Sequence, residues 1–258
     1  MTAAADARSS TEAPSVPVSS GDVGSAPAEA LRDAVWRALG TVLDPELDEP
    51  ITDLDFVQSC TVSPEGVATV RLRLPTFFCA PNFSFLMVAD AYDAVAAVPG
   101  VTRADVTLAD HHASAEINGG VAAQAGFVQT FAGSDQGEAV AELDELRLEF
   151  FRKAALAGQD RVARPLVDAG AGPDELAAMD LGAVPPSGDL DRMRQRREAL
   201  GLPHGDDAPL LIDADGNRIS AAQVPLHLRR ARLQRVGIEA NGEYCKGLLA
   251  VRYPAAAH

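Results

Sequence analysis

The chain has 258 residues, more than one small α/β domain requires, so a second domain or a long extension is expected. Its 22 basic against 37 acidic side chains leave a net charge of −15, which disfavours partners such as nucleic acid and anionic membrane surfaces. Three cysteines cannot build a disulfide framework, and no apolar run approaches the roughly 18 residues of a membrane span.

Residues 1–26 are small, polar and proline-punctuated, and are expected to form a disordered tail. They lack the basic and apolar blocks of a secretion signal, which with the free thiols implies a cytoplasmic location. Pro27 suits the first turn of a helix, and Leu31, Val35, Trp36, Leu39 and Leu43 recur at helical spacing. An acidic segment, Asp44-Pro45-Glu46-Leu47-Asp48-Glu49-Pro50-Ile51, follows. Phe56 to Val62 and Val67 to Leu74 then read as two strands joined at Ser63-Pro64-Glu65-Gly66. In the second strand Val70, Leu72 and Leu74 alternate with Thr69, Arg71 and Arg73, giving one buried and one wet face.

The loop Thr76-Phe77-Phe78-Cys79-Ala80-Pro81 leads into a helix that Asn82 is placed to cap, with Phe85, Leu86, Val88, Ala89, Tyr92, Val95 and Ala96 as its apolar stripe. Pro99-Gly100 stops it, and 101–108 alternates as a third strand. The order helix, strand, strand, helix, strand predicts a two-layer α+β domain over 27–128. A polar, glycine-containing break at 129–137 reads as a linker. Beyond it, 138–258 is expected to be a mostly helical extension and a separate unit. Its first helix carries Val140, Leu143, Leu146, Phe150 and Ala154, and further helices are expected at 173–179, 189–200 and 224–236. Asp213-Ala214-Asp215-Gly216-Asn217 resembles the start of a calcium loop but lacks the later glutamate, so it reads as a hairpin turn.

Cys79 carries the chemical signal. A thiol in the loop between an apolar strand and a helix start meets free backbone N–H groups and the positive helix end, which suits an anionic sulfur that binds metal. Phe77, Phe78 and Phe83 surround it in sequence and are placed to shield bound metal from water. Asp44 and Glu46 are candidate oxygen ligands if the acidic loop folds back, and otherwise solvated turn residues. His111 and His112 are candidate nitrogen ligands or surface and capping groups. Cys60 shares a strand face with Phe56 and Val62 and reads as core. Cys245, beside Lys246, reads as half-buried. No Cys-x-x-Cys pair is present, so a permanent four-ligand site within one chain has little support. Neither a phosphate-binding glycine loop nor a Gly-x-Ser-x-Gly elbow occurs.

Taken in order, the Asp44-Pro45-Glu46 segment, the Pro50-Ile51 pair, the hairpin, the Thr76-to-Cys79 loop and the Val98-Pro99-Gly100-Val101 turn resemble the iron-sulfur cluster assembly domain known as domain of unknown function 59, which includes the PaaD-like proteins. The resemblance spans roughly Ala28 to Phe127. It implies a maturation factor that is not an enzyme, with iron or an iron-sulfur cluster held transiently at Cys79. Asp44, Glu46, His111 and His112 are the accompanying ligand candidates. It also implies a client metalloprotein as partner, a diiron or iron-sulfur oxygenase being the candidate client, with a homodimer as a further possibility. The alternative is a protein-interaction module or dedicated chaperone without a metal role, to which Ala80 lends weight, since the family usually has proline directly after this cysteine. A third option is a thiol enzyme with Cys79 as nucleophile and His111 or His112 as base.

Overall fold

The structure, a computed structural model, describes residues 25–126, 130 and 136–254. Nearly all of the expected tail and most of the expected linker lie outside the described residues. The first helix, α1 (Ser25–Leu39), starts two residues before Pro27. Val35 and Leu39 on it are fully buried, whereas Trp36, which helical spacing placed on the stripe, is 45% exposed. The acidic segment is a tight hairpin: β1 (Leu43–Asp44) pairs antiparallel with β2 (Glu49–Pro50).

The main sheet follows. β3 (Val57–Val62) pairs antiparallel with β4 (Val67–Leu72), which pairs parallel with β5 (Arg103–Leu108), so β4 is central. The parallel pair requires a crossover, supplied by α2 (Pro81–Ala96). Ala68, Val70 and Leu72 turn one face of the sheet into a core shared with Val35, Leu39, Val88, Ala91 and Val95. Arg71, Arg103 and Asp105 stay exposed, as the alternation requires. This is the expected two-layer α+β arrangement. It gains a further helix, α3 (Ser114–Ala122), tied to the sheet by Asn118, whose side chain accepts from the Leu108 N–H at 2.7 Å and donates to the Leu108 carbonyl at 3.0 Å.

The remaining described residues are mostly helical: α4 (Gln136–Asp168), α5 (Pro173–Ala178), α6 (Gly188–Ala199) and α7 (Val224–Arg252). Of the stripe expected on α4, the side chains of Val140, Leu143 and Leu146 lie outside the described residues. Phe150 meets Phe83 edge-on at 5.2 Å, and Ala154 is buried. A second core gathers Leu176, Leu181, Met193, Leu210 and Leu211. The 213–217 segment is a turn, with Asp213 Oδ1 accepting from the N–H groups of Asp215 and Asn217 at 3.0 and 2.9 Å.

The largest departure from expectation is α7, which runs sixteen residues past Val236. Gly237, Asn241, Gly242 and Gly247 lower helix propensity there. Tertiary contacts override it. Leu249 is buried in the first core, Lys246 pairs with Glu49 at 2.9 Å, and Arg252 donates to the Leu74 carbonyl at 3.0 Å. The end of the extension is therefore packed on the α+β domain. A buried ion pair reinforces this docking: Arg196 Nε donates to Asp48 Oδ1 at 2.6 Å.

Candidate functional site

β4 ends at Leu72, ahead of Pro75, and Pro81 occupies the first turn of α2, so the chain between the two prolines belongs to neither element. Ala80 is the N-cap and makes no side-chain cap, while Asn82, expected to be the cap, lies inside the helix with Oδ1 accepting from the Phe83 N–H at 3.0 Å. Proline at the helix start shifts the cap one residue ahead of it. Cys79 is half-buried, with Sγ 3.3 Å from Thr76 Oγ1. It is neither lost in the core nor fully exposed, which suits reversible access.

The two histidines hold this loop from below. His111 is 3% exposed; its Nδ1 accepts from the Ala113 N–H at 3.2 Å, so Nε2 carries the proton and donates to the Cys79 carbonyl at 2.8 Å. Burial lowers the pKa of the ring, with the nearby His112 and Arg252 charges acting the same way, against the raising effect of the hydrogen bond to the Cys79 carbonyl. Both ring nitrogens are thus engaged, and in this arrangement His111 positions the cysteine loop and offers no lone pair to a metal. His112 donates from Nδ1 to the Phe77 carbonyl at 3.0 Å, which leaves Nε2 as its remaining nitrogen. Adjacent histidines reach the same loop because Asp110, at φ 52°, has already turned the chain out of β5.

Phe77 and Phe78 are 41% and 77% exposed and cluster with His112, Phe78 lying 5.8 Å from its ring. Phe83 packs on Phe150 instead. Of the three aromatics expected around the thiol, two cluster with His112 and one packs on α4.

The acidic hairpin divides by position. Asp44 is buried, and its Oδ1 accepts from the N–H groups of Glu46 and Leu47, both at 2.9 Å, closing the turn. Burial pushes its carboxyl up to about 6 despite those bonds, with the Glu46 and Glu49 charges adding to the rise. Glu46 is exposed, while Asp48 and Glu49 are taken up by Arg196 and Lys246.

The residue that sequence reasoning set aside is Cys245. On α7 the positions Val224, Ala231, Ile238, Cys245 and Arg252 recur every seven residues, and Ile238 and Leu249 are buried. That face turns toward the acidic hairpin, because Gly242 approaches Glu49 so closely that a Cβ there would sit 3.3 Å from its Oε1. Cys245 and Cys79 pack against the same core. Burial, and then the charges of Asp44, Cys79 and Glu46, push the Cys245 thiol up to about 11. The heptad was readable in the sequence; its partner surface was not. Cys60, the third thiol, is half-buried at the edge of the core, and burial raises its pKa.

Among the described residues no group of three or more His, Cys, Asp and Glu side chains forms a ready metal cage. Cys79 and Cys245 are both partly buried against the first core, where the α+β domain meets α7.

The described α+β domain thus carries one half-buried loop cysteine ahead of a helix. The family model described as iron-sulfur cluster assembly protein matches residues 32–106, and this segment, which holds Asp44, Glu46 and Cys79, is a domain of that family. Proteins named iron-sulfur cluster carrier protein from Mycobacterium tuberculosis (strain ATCC 25618 / H37Rv), Mycobacterium bovis and Mycobacterium leprae are each 37% identical to it over 78 residues, covering 30% of this chain and 20% of theirs. The matched stretch spans about a fifth of the length of those relatives. No solved structure matches the chain. Among the described residues no helix is long and apolar enough to cross a membrane.

Proposed function

We propose that this protein carries iron or an iron-sulfur cluster as cargo, taking it up at Cys79 and passing it to a client metalloprotein. It acts as a carrier and turns over no substrate. The observation that supports this reading best is the half-buried Cys79 in the loop before α2, within the segment that matches the iron-sulfur cluster assembly model, with Cys245 packed against the same core. Cys245 keeps its proton at neutral pH, so cationic cargo binds there by displacing that proton. His112, with one nitrogen to spare, is a further ligand candidate. Mixed thiolate and carboxylate ligation holds iron less firmly than four thiolates, which favours release to an acceptor. The exposed Phe77 and Phe78 lie where an acceptor would approach. An oxygenase as the client, a second copy of the chain as partner, transient holding and a cytoplasmic setting are the finer parts of the proposal.

Anaerobic reconstitution with ferrous iron and sulfide tests it. The full chain is expected to develop the visible absorbance of a bound cluster, and to transfer it to an apo-ferredoxin supplied as acceptor. Cys79→Ser is expected to abolish uptake. Equal uptake by Cys79→Ser and the unmodified chain would refute the assignment.

A further inference from the structure

Apart from the Cys79 site, a cavity of about 450 Å³ opens between α4, α6, α7 and the 213–217 turn. That volume lies in the range of small-molecule sites. Leu156, Leu202, Ile212 and Leu226 give it apolar walls. The charged groups around them are Arg152, Lys153, Arg197, Arg218 and Arg230, with His227 beside them and Asp213 as the acidic group of the lining. In a chain of net charge −15, this concentration of positive charge runs against the composition.

Arg197 decides what the cavity lacks. It is fully buried, and its terminal nitrogens donate to the Pro209 and Leu210 carbonyls at 2.8 and 2.6 Å. Its Nε is buried with no hydrogen-bond partner. Among the described residues no carboxylate pairs with it, and burial together with the Arg194 charge lowers it to about 10. A buried guanidinium satisfied by neutral carbonyls alone is costly until an anion compensates it.

The neighbouring cations differ in their freedom. Lys153 pairs with Glu149 at 2.7 Å and Arg218 pairs with Asp180, whereas Arg152 and Arg230 form no ion pair among the described residues. Gln159 Oε1 accepts from the Ile212 N–H at 2.9 Å and from His227 Nε2 at 3.0 Å, an arrangement that leaves its amide N–H groups to donate.

We propose that this cavity binds a small organic anion, with a carboxylate or phosphate head in the field of Arg197 and Arg230 and an apolar body against Leu156, Leu202 and Leu226. The site is independent of the cargo reading and rests on none of its residues.

Calorimetric titration of the full chain with hexanoate, hexyl phosphate and neutral 1-hexanol tests it. At least one of the two anions is expected to bind one-to-one and about tenfold or more tighter than 1-hexanol. Which anion binds identifies the head group. Arg230→Glu, at an exposed position, is expected to weaken the anion about tenfold while leaving 1-hexanol unchanged. Arg197→Met is expected to remove the preference for the anion, with circular dichroism confirming its fold. The Arg230 variant decides the matter if Arg197→Met does not fold. No binding of either anion, equal binding of 1-hexanol, or an Arg230→Glu variant that binds the anion unchanged would each overturn the proposal.

Discussion

Arg196 on α6 donates its Nε to Asp48 Oδ1 at 2.6 Å, across 148 positions of sequence, and the two side chains are only 9% and 4% exposed. A pair this buried stabilises only because each charge answers the other. Asp48→Ala leaves the guanidinium alone in a desolvated seam, with a cost of about 3–5 kcal/mol. Urea denaturation is expected to show a midpoint lowered accordingly, and an unchanged midpoint would mean that water reaches the pair.

Cutting the chain near Gly133 removes Leu249 from the first core and Arg252 from the Leu74 carbonyl. Losing one buried leucine costs about 2–5 kcal/mol. In a domain of this size that corresponds to a fall in melting temperature of at least about 8 °C. Calorimetry of the fragment against the full chain checks this, and equal melting would show that α7 contributes nothing to the α+β domain.

His111 and His112 are adjacent but unequal. His111→Ala orphans the Cys79 carbonyl and the Ala113 N–H, with an expected loss of about 1–3 kcal/mol. Amide exchange in residues 76–80 should quicken with it. His112→Ala, at an exposed site, is expected to change stability by less than about 0.5 kcal/mol. Matching losses from the two variants would contradict the positioning role of His111.

Gly66 closes the β3–β4 turn at φ 81°, and a Cβ there would stand 2.5 Å from the Gly100 carbonyl oxygen. Backbone strain and a clash with main chain coincide, so Gly66→Ala is expected to destabilise by about 2–3 kcal/mol. Thermal melting measures this directly. A neutral substitution would mean that the turn and the 99–101 segment move apart freely.

His227 faces Gln159 on α4, Arg197 on α6, Asp213 in the turn and Arg230 on its own helix. Burial, then the Arg197 and Arg230 charges, lower its pKa below the ordinary 6.5, while Asp213 acts the other way. The unfolded chain therefore binds the proton more readily. The contribution to stability is complete above 6.5 and is lost as pH falls through the depressed value of the folded state. Melting curves between neutral and acidic pH should fall more steeply for the unmodified protein than for His227→Gln. Because His111 shifts in the same direction in both proteins, the comparison isolates His227. Parallel curves would exclude it as a titrating group.

Local chemistry settled much of the α+β domain. Alternation in β4, Pro81 at a helix start and Pro99-Gly100 at its end act within a few residues, so their outcome is legible from the chain. The position of Cys79 in a loop follows from the two prolines on either side of it. Tertiary structure decided the rest, because burial depends on surfaces distant in sequence. Propensity alone would end α7 near Gly237, but its continuation is held by Leu249, Lys246 and Arg252 against a domain some two hundred residues earlier. The same docking packs Cys245 against the core that Cys79 also touches, and Lys246 of α7 and Arg196 of α6 take Glu49 and Asp48 into ion pairs, while Asp44 closes its own turn and Glu46 stays exposed. No spacing rule distinguishes those four acids, since their difference is one of desolvation and of which cation arrives from elsewhere in the fold.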